Sequence, residues 1–192
     1  MPLAPWRSPL DRALDQNRSL PYARYLQLAT VRTDGRPANR TLVFRGFLEG
    51  TDQLKLVVDA RSQKSEQIDR QPWGEVCWYF AETREQFRIS GSLRLIGDTY
   101  PEPIQQARQT TWQKLSDSTR LQFIWPEPGA VRSATTAFAT TPPDSTNPPK
   151  CFCLLLLQPV QVDHLELRGE PQNRWLYRYE DSQTWSTEAI NP

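Results

Sequence analysis

The sequence predicts a mainly β domain of the α+β class, with antiparallel strands curling toward a barrel and short helices at the periphery. Three observations carry that expectation. Strand-length apolar alternation recurs at Leu26 to Val31, Gln53 to Val58, Gly74 to Phe80 and Gln86 to Ile96, with turn-forming residues between these runs. Helical periodicity is confined to short stretches. Gly91 interrupts the longest alternating segment, where a bulge or bend would let a barrel close.

In chain order, Ser8-Pro9-Leu10-Asp11 reads as a helix start, with Ser8 at the N-cap and Pro9 at N1, and the helix runs to about Asn17. Leu26 to Val31 and Thr41 to Phe47 then flank a polar segment with Asp34-Gly35 and Pro37, which predicts a hairpin with a loop of several residues. On its second arm Arg40, Leu42 and Phe44 share one face, and Thr41, Val43 and Arg45 the other. A guanidinium near each end of an apolar strand suits an anionic planar ligand; the alternative is that both arginines are solvated or paired with acidic side chains.

The strand at Gln53 to Val58 leads into a helix from Gln63 to Arg70, with Ser62 as its candidate N-cap and Lys64 in its first turn. A helix start directs unpaired N–H groups and positive dipole outward, so a lysine there gains only if an anion is shared. Gly74 to Phe80 and Gln86 to Ile96 make a second hairpin. A helix from about Thr99 carries Ile104, Ala107, Trp112 and Leu115, with a further piece toward Trp125. Pro126 to Lys150 is a long Pro/Thr/Ser-rich loop, expected to be ordered over a site through Arg132 and flexible over about 133–149. Cys151 to Leu157 is a buried strand, Val160 to Leu167 a strand or turn, and Arg174 to Arg178 with Gln183 to Ile190 a closing hairpin. The expected tally is six or seven strands.

Composition narrows the function. At 192 residues the chain is expected to be a single domain spanning 1–192. With 23 basic and 22 acidic residues there is no net field for nucleic acid or an anionic membrane, so anion binding must come from local placement. No run is long enough to cross a membrane, and the expectation is a soluble, cytoplasmic protein. Three cysteines without a CxxC spacing and one histidine argue against a metal centre or a disulfide framework. Cys151 and Cys153 read as buried thiols.

Leu28-Ala29-Thr30-Val31, Asp34-Gly35-Arg36-Pro37 and Arg40 to Phe47 resemble the opening hairpin of the pyridoxamine 5'-phosphate oxidase family of FMN-binding split barrels. The whole chain resembles the subgroup of cyanobacteria and plants. Ser62-Gln63-Lys64, Arg84-Glu85-Gln86, Trp125 to Gly129, Asn173-Arg174-Trp175 and Trp185 follow in the family's order. The resemblance implies a split β-barrel homodimer with FMN at the subunit interface and a small-molecule substrate. Arg40 and Lys64, with Ser62 and Gln63 beside them, would hold the phosphate. The main chain of Thr41, Leu42, Val43 and Phe44 would line the ring edge, with Val57 and Val58 nearby. Gln86 would hydrogen-bond the isoalloxazine, and Arg174 would reach it from the second subunit.

The departures from the family concern mainly the substrate. Ser62-Gln63-Lys64 stands where Ser-Arg-Lys is usual, Val57-Val58 where Tyr-Thr is frequent, and Leu165 where a Trp is expected. The Arg-x-His pair of the oxidases is missing from Gly169 to Asn173, and their substrate-phosphate Tyr, Arg and Ser have no clear counterparts in Gln109 to Thr119. Arg45 replaces a substrate-side lysine, keeping charge but changing geometry. The implied function is therefore an FMN-dependent oxidoreductase with an incomplete pyridoxal-type site and no assigned catalytic residue. A non-catalytic FMN-binding or sensing module and an NAD(P)H-dependent flavin reductase are the alternatives.

Overall fold

Eight strands form one antiparallel sheet in the computed structural model, which describes residues 3–192. They are β1 (Tyr25–Val31), β2 (Pro37–Val43), β3 (Leu54–Asp59), β4 (Trp73–Phe80), β5 (Glu85–Ile96), β6 (Phe152–Glu166), β7 (Asn173–Tyr179) and β8 (Trp185–Ala189). The helices are α1 (Arg7–Gln16), α2 (Gln63–Arg70), α3 (Ile104–Gln113) and α4 (Asp117–Leu121), with a 3-10 turn at Thr135–Phe138. The strand count is eight rather than the six or seven expected.

The pairing order is β2-β1-β4-β5-β6-β7-β8, with β3 also paired to β6. Along one edge β6 carries β5 over its whole paired length; along the other it carries β3 at Phe152 to Leu157 and then β7 at Gln161 to Glu166. The sheet splits at that handover. β3 turns back to β2 through the Phe47–Leu54 bridge and the bonds Arg45 N–H to Lys55 O (2.9 Å) and Lys55 N–H to Gly46 O (2.8 Å). Six strands thereby close a barrel, and β7 and β8 extend from it.

Alternation fills the barrel. Leu26 and Leu28 of β1, Val76, Trp78 and Phe80 of β4, and Phe87 and Ile89 of β5 are all buried, while the residues between them face outward. Phe44, Trp78, Phe80 and Phe87 form a chain of rings with successive centroids 4.8, 5.1 and 5.8 Å apart, each ring contributing about 2–3 kcal/mol of transfer free energy. The run from Phe152 to Leu157 is buried on both faces of β6: Leu155 and Leu157 join the barrel core, whereas Leu154 and Leu156 pack with Ile96 under α3. That explains why this stretch is continuously apolar rather than alternating.

Four boundaries differ from the sequence expectation, among them the start of α3, at Ile104 rather than about Thr99. α1 begins at Arg7 with Trp6 at its N-cap, so Ser8 lies inside the first turn and caps nothing. The cause is tertiary: Trp6 is fully buried and Arg7 bonds Asp52 Oδ1 at 3.1 Å, which draws the helix start toward the barrel. β2 ends at Val43 rather than Phe47, because Gly46, with φ of +94°, turns the chain into β3. β6 runs unbroken from Phe152 to Glu166, where a strand followed by a strand or turn was expected.

Gly91 is the bulge. The register of β5 against β6 shifts between Ser90 and Gly91, and a Cβ on Gly91 would lie 2.0 Å from Gln158 O. Since the obstructing atom is backbone, Gly91→Ala should destabilise the protein by about 2 kcal/mol or more. Urea denaturation checks this; an unchanged midpoint would show that the handover tolerates a side chain.

Candidate functional site

The end of β2 and the start of α2 converge at one mouth of the barrel. Ser62 is the N-cap residue of α2, but its hydroxyl makes no cap bond. Instead Ser62 Oγ donates to Asp59 O (2.6 Å) and accepts from Lys64 Nζ (2.8 Å). The lysine is thus folded back over the helix start instead of trailing into solvent. Opposite it, the Arg40 guanidinium is held by neutral acceptors alone: Leu28 O (3.1 Å), Thr30 Oγ1 (2.6 Å) and Gln67 Oε1 (3.0 Å). Thr30 in turn donates to Gln67 Oε1 at 2.7 Å, so Arg40 sits in a fixed polar socket.

Among the described residues no carboxylate lies within 4.0 Å of Arg40, Lys64 or Arg45. Burial lowers the pKa of each, and Arg40 pushes Lys64 down further. Desolvated like charges left side by side are unfavourable unless an anion joins them.

A cavity of about 520 Å³ opens beside this group, within the range of small-ligand sites. Thr41, Leu42, Val43, Arg45, Val57, Val58 and Lys64 form one side of it, and Phe123, Trp125 to Ser133 and Phe138 the other. Two donors in its walls have no acceptor on the protein: Arg45 Nε and Trp125 Nε1 are both buried and unpartnered. The far wall is aromatic, with Trp125 and Phe138 edge to face at 5.7 Å and the Arg132 guanidinium 4.3 Å from the Phe138 ring centre. Cations without counterions, unpartnered donors and an aromatic wall fit FMN, which needs charge and N–H groups for its phosphate and an apolar wall for its ring.

The other expected site residues lie elsewhere. Phe44 is 3% exposed and packs into the barrel core behind the cavity, and Gln63 is exposed on α2. Gln86 and Arg174 line no part of the cavity, yet they are not scattered. Gln86 pairs with Leu165, and Leu165 with Arg174, so three positions remote in sequence share one cross-strand row on the outer face. Arg174 is held by Asp163 through a two-point contact of 2.9 and 2.7 Å.

His164 is a core residue, 1% exposed and stacked on Phe87 at 4.1 Å between ring centres. Its Nε2 lies 2.8 Å from Glu85 Oε2. Burial works to raise the Glu85 pKa, but hydrogen bonds with His164 and Thr83 and the attraction of His164 overcome it, leaving it lowered. Glu166 brings a third potential ligand atom within 4.8 Å, but it faces Arg12 at 3.9 Å and Asn173 at 3.2 Å, a setting of internal ion pairing. The sequence reading missed two features: the Thr30–Gln67 socket, and the Asp59–Arg61 pair (2.6 Å) at the cavity edge.

Comparison with known proteins bears on the whole chain. A family model described as pyridoxamine 5'-phosphate oxidase, FMN-binding domain, matches residues 3–97. The pyridoxine/pyridoxamine 5'-phosphate oxidase 2 of Arabidopsis thaliana is 37% identical over 194 residues, covering 99% of this chain and 98% of its own. The crystal structure of a pyridoxamine 5'-phosphate oxidase-related, FMN-binding protein from Nostoc punctiforme superposes over 100% of both chains with a TM-score of 0.97 at 62% identity. PhzG from Burkholderia lata, solved with tetrahydrophenazine-1-carboxylic acid, shares the fold at 18% identity and a TM-score of 0.80, over 100% of this chain and 94% of its own.

Lys64 gives a signed test of the cavity. Its folded pKa lies below its ordinary value, so over the window between the two the unfolded chain binds the proton more readily, and stability rises with pH there. Lys64→Met removes the desolvated charge. It should raise the melting temperature of flavin-free protein by about 1–2 °C while weakening FMN roughly tenfold. Calorimetry and fluorescence titration on the same samples check both signs.

Proposed function

This chain belongs to the pyridoxamine 5'-phosphate oxidase family of FMN-binding domains, and we propose that it is an FMN-dependent oxidoreductase whose donor is not the phosphorylated pyridine of the oxidases. The observation carrying this reading is the group of desolvated cations, Arg40, Lys64 and Arg45, beside a cavity whose lining carboxylates, Asp59 and Glu127, form no ion pair with any of them. Arg40 and Lys64 hold the cofactor phosphate, Arg40 with its orientation already fixed by Thr30 and Gln67. The main chain of Thr41 to Val43, with Val57 beside it, takes the polar edge of the ring. When bound, FMN supplies the hydride acceptor, so the protein's task is to orient a donor and keep water away from the ring.

The donor side is where this chain parts from the oxidases. Arg45 is the cation left to face an anionic donor. The position of the Arg-x-His pair is a turn through Gly169, with φ of +102°, carrying Glu170, Pro171 and Gln172. Its neighbour Arg168 is spent on the Glu82 carbonyl. No cation and imidazole stand ready there for a pyridine phosphate.

The visible spectrum of freshly purified protein should show bound flavin. Under steady-state conditions with oxygen, pyridoxamine phosphate should turn over about a hundredfold or more below a dedicated oxidase. Turnover at a dedicated oxidase's efficiency would overturn the donor assignment, and a colourless protein that takes up no FMN would overturn the whole reading.

The proposed assembly is a homodimer in which the outer row Gln86–Leu165–Arg174 of one chain serves the cavity of the other. Exposed Tyr79, cross-strand from Gln86, and Tyr25 on the neighbouring strand supply apolar surface for such a contact. Sedimentation of the flavin-loaded protein at micromolar concentration should give twice the chain mass; a monomer with flavin bound would exclude the arrangement.

A further inference from the structure

Arg61 connects the two sides of the cavity without lining it. It stands in the short link between β3 and α2, and its guanidinium forks around Asp59: Nε to Oδ1 at 3.0 Å, and the terminal nitrogen Nη2 to Oδ2 at 2.6 Å. The same group then donates across the fold, from Nη1 to Trp125 O at 2.9 Å and from Nη2 to Phe123 O at 3.1 Å. Those carbonyls begin the irregular segment whose following residues, with Phe138, form the aromatic wall.

Little else holds that segment. Among the described residues, the side-chain hydrogen bonds reaching Phe123 to Ser133 from outside come from Arg61 and from Cys151, whose thiol donates to Phe123 O at 3.1 Å. Below Arg61 the network continues. Asp59 O accepts from Ser62 Oγ, which accepts from Lys64 Nζ. Through Asp59, whose carboxylate takes Arg61 and whose main-chain carbonyl takes Ser62, hydrogen bonds thus link the aromatic wall to the cation of the phosphate cradle. An exposed ion pair that contributes little would need no such reach; a planar fork engaging a carboxylate on one side and two carbonyls on the other is what arginine alone provides.

We propose that Arg61 is a positioning residue of the flavin site, setting the separation between the aromatic wall and the phosphate cradle; this rests on the flavin reading above. The wall contacts the ring rather than the phosphate. Loosening it weakens any ligand carrying that ring, whereas loss of a cradle cation weakens only the phosphorylated one.

The test compares FMN with riboflavin, which has the same ring and no phosphate, by fluorescence titration of the parent, Arg61→Ala, Arg61→Lys and Lys64→Ala. Arg61→Ala should weaken both flavins by the same factor, about tenfold, leaving their ratio unchanged. Arg61→Lys should behave alike, because an ammonium keeps the charge but cannot span Asp59 and both carbonyls; it also carries the comparison if the alanine variant fails to fold. Lys64→Ala should weaken FMN and leave riboflavin near the parent value. Arg61 variants that lose thermal stability yet keep both affinities within about twofold would make Arg61 structural only. A loss confined to FMN would make it a phosphate ligand instead, and either result overturns the proposal. A parent protein that binds neither flavin is a different failure, that of the flavin reading itself.

Discussion

The arrangement depends on one constraint at the middle of β6. A strand has two edges, and β6 must serve three neighbours, so along one edge β3 gives way to β7. The handover falls at Gln158 to Val160, opposite Gly91, where the two backbones approach too closely for a Cβ. Pro159 there has no N–H to leave unpaired. Everything functional follows from which strand goes where. β3 stays in the barrel and delivers Asp59, Arg61 and the start of α2 to the side of β2 that holds Arg40. β7 leaves the barrel and carries Arg174 onto the outer face.

The cavity is costly to the protein by itself. Arg40, Arg45 and Lys64 are each desolvated without a counterion, although the chain has acidic residues in near-equal number to its basic ones. A carboxylate beside Lys64 would relieve the local electrostatic cost and, under the proposed function, compete with the cofactor phosphate. Asp59, which lines the cavity, is instead taken by Arg61 at 2.6 Å. Under the proposed flavin site, these electrostatics await a dianion from outside, a stability loss concentrated where binding needs it.

Much of this was legible in the sequence, for physical reasons. Alternation revealed β1, β3, β4 and β5 because each has one face in the core, and Ser62 marked the start of α2 because helix starts have local chemistry. The same locality explains the misses. The apolar run through Phe44 suggested a longer β2, but Phe44 is buried as a plug next to Trp78 after the strand has ended. Ser8 offered a cap that the burial of Trp6 pre-empted. Neither the Arg40 socket nor the Arg61 link could be read, since their partners are a buried glutamine 27 residues away and backbone carbonyls 62 and 64 residues away; a carbonyl has no letter in a sequence.

The outer row is the part that sequence order and geometry explain only together. Tyr79, Gln86, Leu165 and Arg174 occupy successive strands in register, spanning about 14 Å at the usual strand spacing. None lines the cavity of its own chain. Arg174 is nonetheless fixed: Asp163, 11% exposed at its side chain, grips it at two points and also faces Arg88 at 3.6 Å, which Glu75 binds in turn at 2.9 Å. Ordering a long, only partly buried side chain has an entropic cost of up to about 2 kcal/mol, recovered when the oriented guanidinium meets a ligand or a partner surface. Under the proposed dimer both demands have one solution. A two-fold axis that lays the row of one chain over the cavity of the other repeats the contact at a second, identical site. Each flavin is then held at its phosphate by one copy and at its ring by both, so cofactor binding and assembly are coupled, and loss of either weakens the other.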